Sequence, residues 1–316
     1  MLLSIIMSVY NEKISEFLEA LNSIQNQTYK NIEIIVIIDN PARKDIECEL
    51  KKIDDSRIIY KVNKKNIGLA DSMNLAANMA KGEYLVRMDA DDISYPDRLQ
   101  KELEQLKKTN ADYVCSWFDY IDEDGKKIDK KVKFYKNEII NEMLPYNNCI
   151  HHPTVIIKKD AFFQVGGYRN FPCAQDYDLW LRLFDMGYRV TIVENVLLSY
   201  RIRESSTTSQ KRVQQHYTVE YARRLLRERH KYGKDSYSTE NYQMFLEKKG
   251  TLDPKKTAQW KKGMEKKQQL GRWYYFVLAV FSDFFRGIVV DAIRCRWMEI
   301  YLSRLKSLFT KRKDCS

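Results

Sequence analysis

The chain has no C-x-x-C pair, no glycine-rich nucleotide loop and no long uncharged apolar run, and each absence excludes a class of protein. Its six cysteines, Cys48, Cys115, Cys149, Cys173, Cys295 and Cys315, are scattered. Without paired spacing they predict neither a structural zinc site nor a disulfide framework, and they suit a reducing compartment. Neither G-x-G-x-x-G nor G-x-x-x-x-G-K-[ST] occurs, so a dinucleotide fingerprint and a P-loop are unsupported. No run of about 18 uncharged apolar residues is present, which argues against a clear spanning helix. The opening MLLSIIMSVYNE is apolar but carries no basic segment and no cleavage site. It reads as a buried strand rather than a signal peptide. No internal repeat is found.

What is there is enough for a core. The 316 residues are 44% hydrophobic and 12% aromatic, which argues against disorder over most of the length. The formal net charge of +11 is unevenly spread. Residues 1–200 carry 27 Lys and Arg against 31 Asp and Glu, and residues 201–316 carry 27 against 12. A slightly acidic body with a strongly basic last third predicts an anionic partner for that third, either nucleic acid or an acidic membrane surface.

The first 115 residues alternate between strand and helix patterns. Strands are predicted at Leu2–Val9, Ile32–Ile38, Ile58–Val62, Tyr84–Met88 and Ala111–Trp117, and helices at Glu16–Gln25, Gly68–Ala80 and Asp97–Lys108. Such alternation implies βαβ units and a mostly parallel sheet buried on both faces. Ligands of such sheets sit outside the carboxyl ends of the strands, so the residues that close each strand matter most. Residues 118–150 read as a hairpin and a helix, with a turn at Asp122-Glu123-Asp124-Gly125. Short strands and a helix return over 151–200. From residue 201 the chain reads as polar, basic and helical, and from residue 272 as aromatic and amphipathic.

Several motifs carry chemistry. In Arg87-Met88-Asp89-Ala90-Asp91-Asp92, three carboxylates crowd the end of an apolar strand, and their repulsion is relieved by a cation. Mg²⁺ or Mn²⁺ takes oxygen ligands of this kind together with substrate phosphates. The plainer alternative is an acidic turn capping the next helix. Asp176-Tyr177-Asp178-Leu179-Trp180 starts a helix, where Asp176 is either a general base or only a charge favoured by the helix dipole. Val9-Tyr10-Asn11-Glu12 offers an aromatic ring to stack on a base, and Asp39 offers an acceptor for base or ribose; ordinary strand-end turns would look the same. Asn66-Ile67-Gly68 places tight backbone at a helix start, which favours phosphate. His151 and His152 are candidates for a diphosphate or a metal, or are structural.

Taken together and in order, these motifs are specific. The opening S-x-x-x-S-V-Y-N-E, the strand ending at Asp39, N-x-G-L-A through M-D-A-D-D-I-S-x-P-D-R-L, and Q-D-Y-D-L-W-L-R-L resemble bacterial glycosyltransferase family 2, the inverting enzymes of the GT-A fold, over roughly residues 3–205. The resemblance implies a Rossmann-like, mostly parallel sheet with flanking helices as catalytic domain over 1–205. Its nucleotide-binding half covers about 1–115 and its acceptor half about 116–205. It implies that Tyr10, Glu12 and Asp39 hold the nucleotide base and ribose, with Val9, Asn66, Gly68, Arg87 and Ala90 also on the donor side. Asp89 would face the ribose or metal-bound water, Asp91 would ligate Mn²⁺ or Mg²⁺, and His152 is a weaker metal candidate. Asp176 would be the catalytic base, with Asp178 and Trp180 shaping the acceptor side. Arg201 would lie over the donor phosphates. The sequence departs from the family pattern at Asn40-Pro41, at Gln175, and at Arg203 where many relatives carry His. No Q-x-x-R-W follows residue 200, so the resemblance favours transfer of a single sugar over polymerisation.

The implied activity is hexosyl transfer from a nucleotide-diphosphate sugar, UDP-linked by default, to a saccharide acceptor. Residues 206–316 are expected to form a helical basic extension. Its apolar face, from Tyr274 through Phe284, Phe285, Ile288 and Val289, either packs on the catalytic domain or lies on a membrane. The membrane reading implies a lipid-linked acceptor and a peripheral place on the cytoplasmic face of the bacterial plasma membrane. Two other classes compete. A nucleotidyltransferase shares the sheet and the carboxylates, but its Gly-rich, Arg-containing loop is missing after the first strand. A nucleic-acid-binding protein fits the basic tail, but no reader motif is present.

Overall fold

The computed structural model describes residues 1–130, 132, 134–203, 211–251, 253–255, 257–260, 262–263 and 283–313. The chain divides into two compact units, Met1–Asn137 with Ile150–Ser206, and Glu138–Cys149 with Thr207–Ser316.

The first unit is built on strands that the β-branched runs dictate. Strand β1 (Leu3–Val9) pairs in parallel with β2 (Ile32–Ile38) on one side and β4 (Tyr84–Arg87) on the other, and β3 (Ile58–Val62) lies beyond β2. Every residue of β2 is buried, as a strand covered on both faces requires. Helices α1 (Ile14–Gln25), α2 (Lys44–Lys52), α3 (Leu69–Met79) and α4 (Arg98–Thr109) connect and follow these strands. In α1 the 3.6-residue spacing buries Phe17, Leu21 and Ile24 completely. Burial of each such side chain contributes roughly 1.5–3 kcal/mol.

The strand order 3-2-1-4 reverses direction between β1 and β4, and the crevice at that reversal is where such sheets bind ligands. Beyond β4 the sheet becomes mixed. Strand β8 (Ile156–Lys158) runs antiparallel to β4 and to β6 (Tyr113–Ile121), while β9 (Val190–Arg201) runs parallel to β6. The short β5 (Ile93–Ser94) pairs antiparallel with β9, and β7 (Lys127–Ile128) forms a hairpin with β6. The expected turn closes this hairpin, with Asp122 N–H donating to the Lys126 carbonyl at 2.9 Å. Strand β6 continues past the predicted Trp117 because Phe118 and Ile121 are buried as well. Helix α2 escaped the sequence reading, since only Ile46 and Leu50 mark its buried side.

After the hairpin come α5 (Asn137–Met143), a 3₁₀ turn at His152–Thr154, α6 (Lys159–Gln164) and α7 (Gln175–Asp185). The second unit contains most of α5 together with α8 (Arg212–Tyr232), α9 (Thr239–Lys249) and α10 (Asp283–Lys313). Aromatic packing holds it together: Trp260 stacks on Phe284 at 4.8 Å, and the Thr218 hydroxyl lies 2.6 Å from the Tyr242 hydroxyl. Arg223 pairs with Asp291 at 2.9 Å and also donates to the Tyr146 carbonyl.

Residues 272–282 of the predicted apolar face lie outside the described residues. Phe284 and Phe285 are buried, and Ile288 and Val289 half-buried, so this part of the expected face turns inward. A different stripe of α10 is exposed: Val290, Ile293, Trp297, Ile300 and Tyr301. Among the described residues no helix is long and apolar enough to cross a membrane.

Candidate active site

The carboxyl ends of β1, β2 and β4 bring the predicted residues to one rim. Asp39, just past β2, is buried, and its carboxylate accepts from Asn63 Nδ2 at 2.8 Å, Ile67 N–H at 2.9 Å and Gly68 N–H at 2.9 Å. It therefore orders the turn before α3, and Asn66 Oδ1 accepts from the same Gly68 N–H at 2.8 Å. Gly68 has φ +87, and a Cβ there would meet no atom within 4 Å, so the space above this turn is open. Beside it Tyr10 is 43% exposed, free to present its ring face to a flat base. Glu12 accepts from the Tyr10 N–H at 2.7 Å and so fixes the turn after β1. Val9 and Ala90 are buried side chains of the core and shape this rim only through their backbone.

Buried cations lock the end of β4. Arg87 pairs with Asp89 and donates to the Met88 carbonyl. Arg98, wholly buried, donates to the Arg87 carbonyl at 3.1 Å and pairs with Glu102, which in turn accepts from Ser116 Oγ at 2.7 Å. Sequence reasoning passed over Arg98. Its signal was the Asp97-Arg98-Leu99 run that begins five positions after Asp92.

The three acids separate into different roles. Asp92 is buried, and one carboxylate oxygen accepts from the Arg201 N–H at 2.9 Å while the other has no hydrogen-bond partner. Burial, then Asp91 and Asp89, push its carboxyl well up. Asp91 is pushed up to about 7, mainly by burial and then by Asp89, against the pull of Arg203. The Arg203 guanidinium lies 2.6 Å from Asp91, 3.3 Å from Glu16 and 3.7 Å from Glu12. Crowded oxygen donors with unmatched negative charge have the chemistry that suits a hard divalent ion. Among the described residues, however, no group of three or more His, Cys, Asp or Glu side chains converges in a metal-binding arrangement.

Asp176 enters from the far side of the unit. Ala174 before it adopts φ +54, a left-handed conformation that costs an L-residue about 1–2 kcal/mol and sets the start of α7. Asp176 is half-buried in the first turn of this helix, where the dipole favours a carboxylate. The link to the acidic rim is Tyr168. Burial raises its phenol; Arg87 opposes this, and Asp176 and Asp89 both add to it. Tyr168 also meets His152 Nε2 at 2.7 Å, and its backbone is held by both amide atoms of Asn74. The sequence reading overlooked Tyr168, although Gly166 and Gly167, both at positive φ, mark the tight backbone before it.

Four of the predicted residues lie deeper than the rim. Asp178 is fully buried and pairs with Arg182 at 2.9 Å and Arg169 at 3.5 Å, while Trp180 stacks on Tyr113 at 5.6 Å. Both side chains are fully buried. Arg201, expected over phosphates, is buried, with Nε donating to the Asp91 carbonyl, Nη1 to the Asp122 and Glu123 carbonyls, and Nη2 to Glu19. It shapes the acidic turn from behind. His152, half-buried, meets Tyr168, and desolvation holds its imidazole well below its usual range.

A parallel half-sheet with an acidic carboxyl rim, continued by a mixed half-sheet and by a helix that starts with a further carboxylate, defines an α/β protein of the Rossmann-like GT-A type. The chain belongs to glycosyl transferase family 2, whose profile it matches over residues 4–165. It is 35% identical over 205 residues to an uncharacterised glycosyltransferase of Methanocaldococcus jannaschii, covering 64% of this chain and 71% of that one. It is 33% identical over 210 residues to the O-antigen biosynthesis glycosyltransferase WbnJ of Escherichia coli, covering 65% and 82%. Among solved structures, S. aureus TarS 1-349 in complex with UDP-GlcNAc superposes with a TM-score of 0.60 at 15% identity, over 96% of this chain and 90% of that one. Likeness at that identity speaks for the fold alone.

Proposed function

We propose that this glycosyltransferase moves one hexosyl group, with inversion, from a UDP-sugar to a hydroxyl of a lipid-linked saccharide in cell-surface polysaccharide assembly. The observation that carries the reading is the rim at the carboxyl ends of β1, β2 and β4, which gathers the exposed Tyr10, Asp39 with its Gly68 turn, and Asp91 in a chain of glycosyl transferase family 2. The uridine donor draws support from the UDP-GlcNAc complex of TarS, and the polysaccharide setting from the name of WbnJ.

In this reading the exposed Tyr10 ring stacks on the base, and the open backbone at Gly68 admits the nucleotide. Asp176 takes the proton of the acceptor hydroxyl. The freed oxygen then bonds to the anomeric carbon as the bond from that carbon to the diphosphate breaks. Asp91 and Asp89 would hold Mn²⁺ or Mg²⁺, which when bound neutralises charge on the departing diphosphate.

The second unit supplies the lipid side. On α10, Val290, Ile293, Trp297, Ile300 and Tyr301 recur at helical spacing and are exposed, flanked by the exposed Arg294 and Arg296. An apolar stripe with arginine borders, in a strongly basic third of the chain, fits the headgroup region of an anionic bilayer.

The test is a panel of nucleotide sugars assayed for nucleoside diphosphate release, with Mn²⁺ or with EDTA. Release from one UDP-sugar, dependent on acceptor and Mn²⁺, is expected. Release of pyrophosphate would mean a nucleotidyltransferase, and a salt-sensitive nucleic-acid shift without release would replace catalysis by binding.

A further inference from the structure

Arg203 is a cation that Asp91 already holds. Its guanidinium reaches Asp91, Glu16 and Glu12 at 2.6, 3.3 and 3.7 Å, and it is itself mostly buried. Glu12 and Glu16 come from the turn after β1 and from α1, and Asp91 from the turn after β4, so the arginine bridges the crevice where the strand order reverses. A planar fork suits this three-way span, which the point charge of a lysine cannot reproduce. Behind the rim, the Arg201 guanidinium donates to Asp91 O, Asp122 O, Glu123 O and Glu19, and not to the Asp91 carboxylate that Arg203 holds.

We propose that Arg203 is a built-in competitor for the divalent cation: guanidinium and metal are alternative occupants of Asp91, and the free protein favours the guanidinium. The inference rests on the cation reading of Asp91 given above. Its basis is spatial. The guanidinium nitrogen nearest Asp91 stands at hydrogen-bond distance from the oxygen that a metal would ligate, and two cations sharing that oxygen repel one another. Metal loading then requires Arg203 to leave. A pyrophosphate group, which offers the guanidinium several anionic oxygens, gives it somewhere to go. Cation and nucleoside diphosphate would accordingly assist each other's binding.

The test is direct Mn²⁺ binding without nucleotide, read from the free-ion electron paramagnetic resonance signal. Arg203→Gln is expected to bind Mn²⁺ about tenfold more tightly than the wild type or better, within the usual range of coupling between sites. Adding Asp91→Asn to that variant should abolish the gain. Arg203→Lys, which keeps the charge but loses the span, should fall between, and serves if Arg203→Gln fails to fold by circular dichroism. Equal affinity in the wild type and both Arg203 variants overturns the competition while leaving the cation site intact, as does a gain that survives Asp91→Asn. No binding by any folded variant, even at millimolar Mn²⁺ with UDP present, removes the cation site and the competition together.

Discussion

Arg201 Nε donates to the main-chain carbonyl of Asp91 at 2.7 Å, so the last residue of β9 holds the acidic turn after β4 in place. The same residue's N–H donates to Asp92, and its remaining guanidinium bonds go to Glu19 and two carbonyls of the β6–β7 hairpin. Arg201→Ala would remove the partner of three main-chain carbonyls and of the Glu19 carboxylate at once. A loss of about 3 kcal/mol of stability is expected, together with weaker donor binding. Urea denaturation and UDP titration measure the two effects, and unchanged values in both would refute this role.

Asp176 and Asp178 lie two positions apart in α7 but should respond oppositely to mutation. Asp178→Ala strands the buried Arg182, whose other bonds go to the Val165 and Gly167 carbonyls. It should cost about 3–5 kcal/mol of stability. Asp176→Asn should leave the melting temperature nearly unchanged and keep nucleotide binding. Its turnover should fall by roughly 10²–10⁴-fold, the usual share of a general base. Wild-type turnover in folded Asp176→Asn protein would remove Asp176 from the mechanism.

His151 sets a dependence on pH. Its ring stacks on Phe118 at 3.9 Å, and its Nε2 is buried without a partner. Burial pushes the imidazole down to about 4, although Asp89 pulls the other way. In the unfolded chain the group protonates near its ordinary value of 6.5. The unfolded state therefore takes up the proton first as the pH falls, and this contribution to stability is present above 6.5 and lost on the way to 4. His151→Phe keeps the stack and removes the linkage. Between about pH 7.5 and pH 4 it should gain about 3 kcal/mol relative to the wild type, read from urea midpoints at each pH. Parallel stability curves for the two proteins would show that the ring titrates normally.

The α10 stripe predicts binding to vesicles. Wild-type protein should co-sediment with vesicles rich in phosphatidylglycerol and less with neutral ones. Replacing Ile293 and Tyr301 by Asp puts two charges into the exposed stripe and should lower partitioning by about tenfold or more, since each buried apolar side chain contributes roughly 1.5–3 kcal/mol. Equal sedimentation of variant and wild type would assign lipid contact elsewhere.

The fold was largely legible along the chain because its signals are local. The isoleucine-rich run at 32–38 gives a strand that is wholly buried, and the spacing of Phe17, Leu21 and Ile24 gives the face of α1. The antiparallel insertion of β8 between β4 and β6 was not legible, since pairing partners distant in the chain leave no local period. Neither was the length of β9, whose exposed Glu194 and Asn195 stretch interrupts an otherwise buried pattern.

The sequence by itself determined which residue types stand at the strand ends: an aromatic and a glutamate after β1, an aspartate after β2, an acidic triplet after β4, and an aspartate in the first turn of a later helix. Backbone geometry and strand periodicity fix those positions without reference to the rest of the chain. Only the tertiary structure decided the roles among them, because role follows from what a charge meets once water is gone. Asp178 met Arg182 and became a strut, Arg201 met backbone carbonyls and became a brace, and Arg203 met the carboxylates of the rim. Identical charges in similar sequence contexts diverge because burial magnifies whichever partner the fold places nearest.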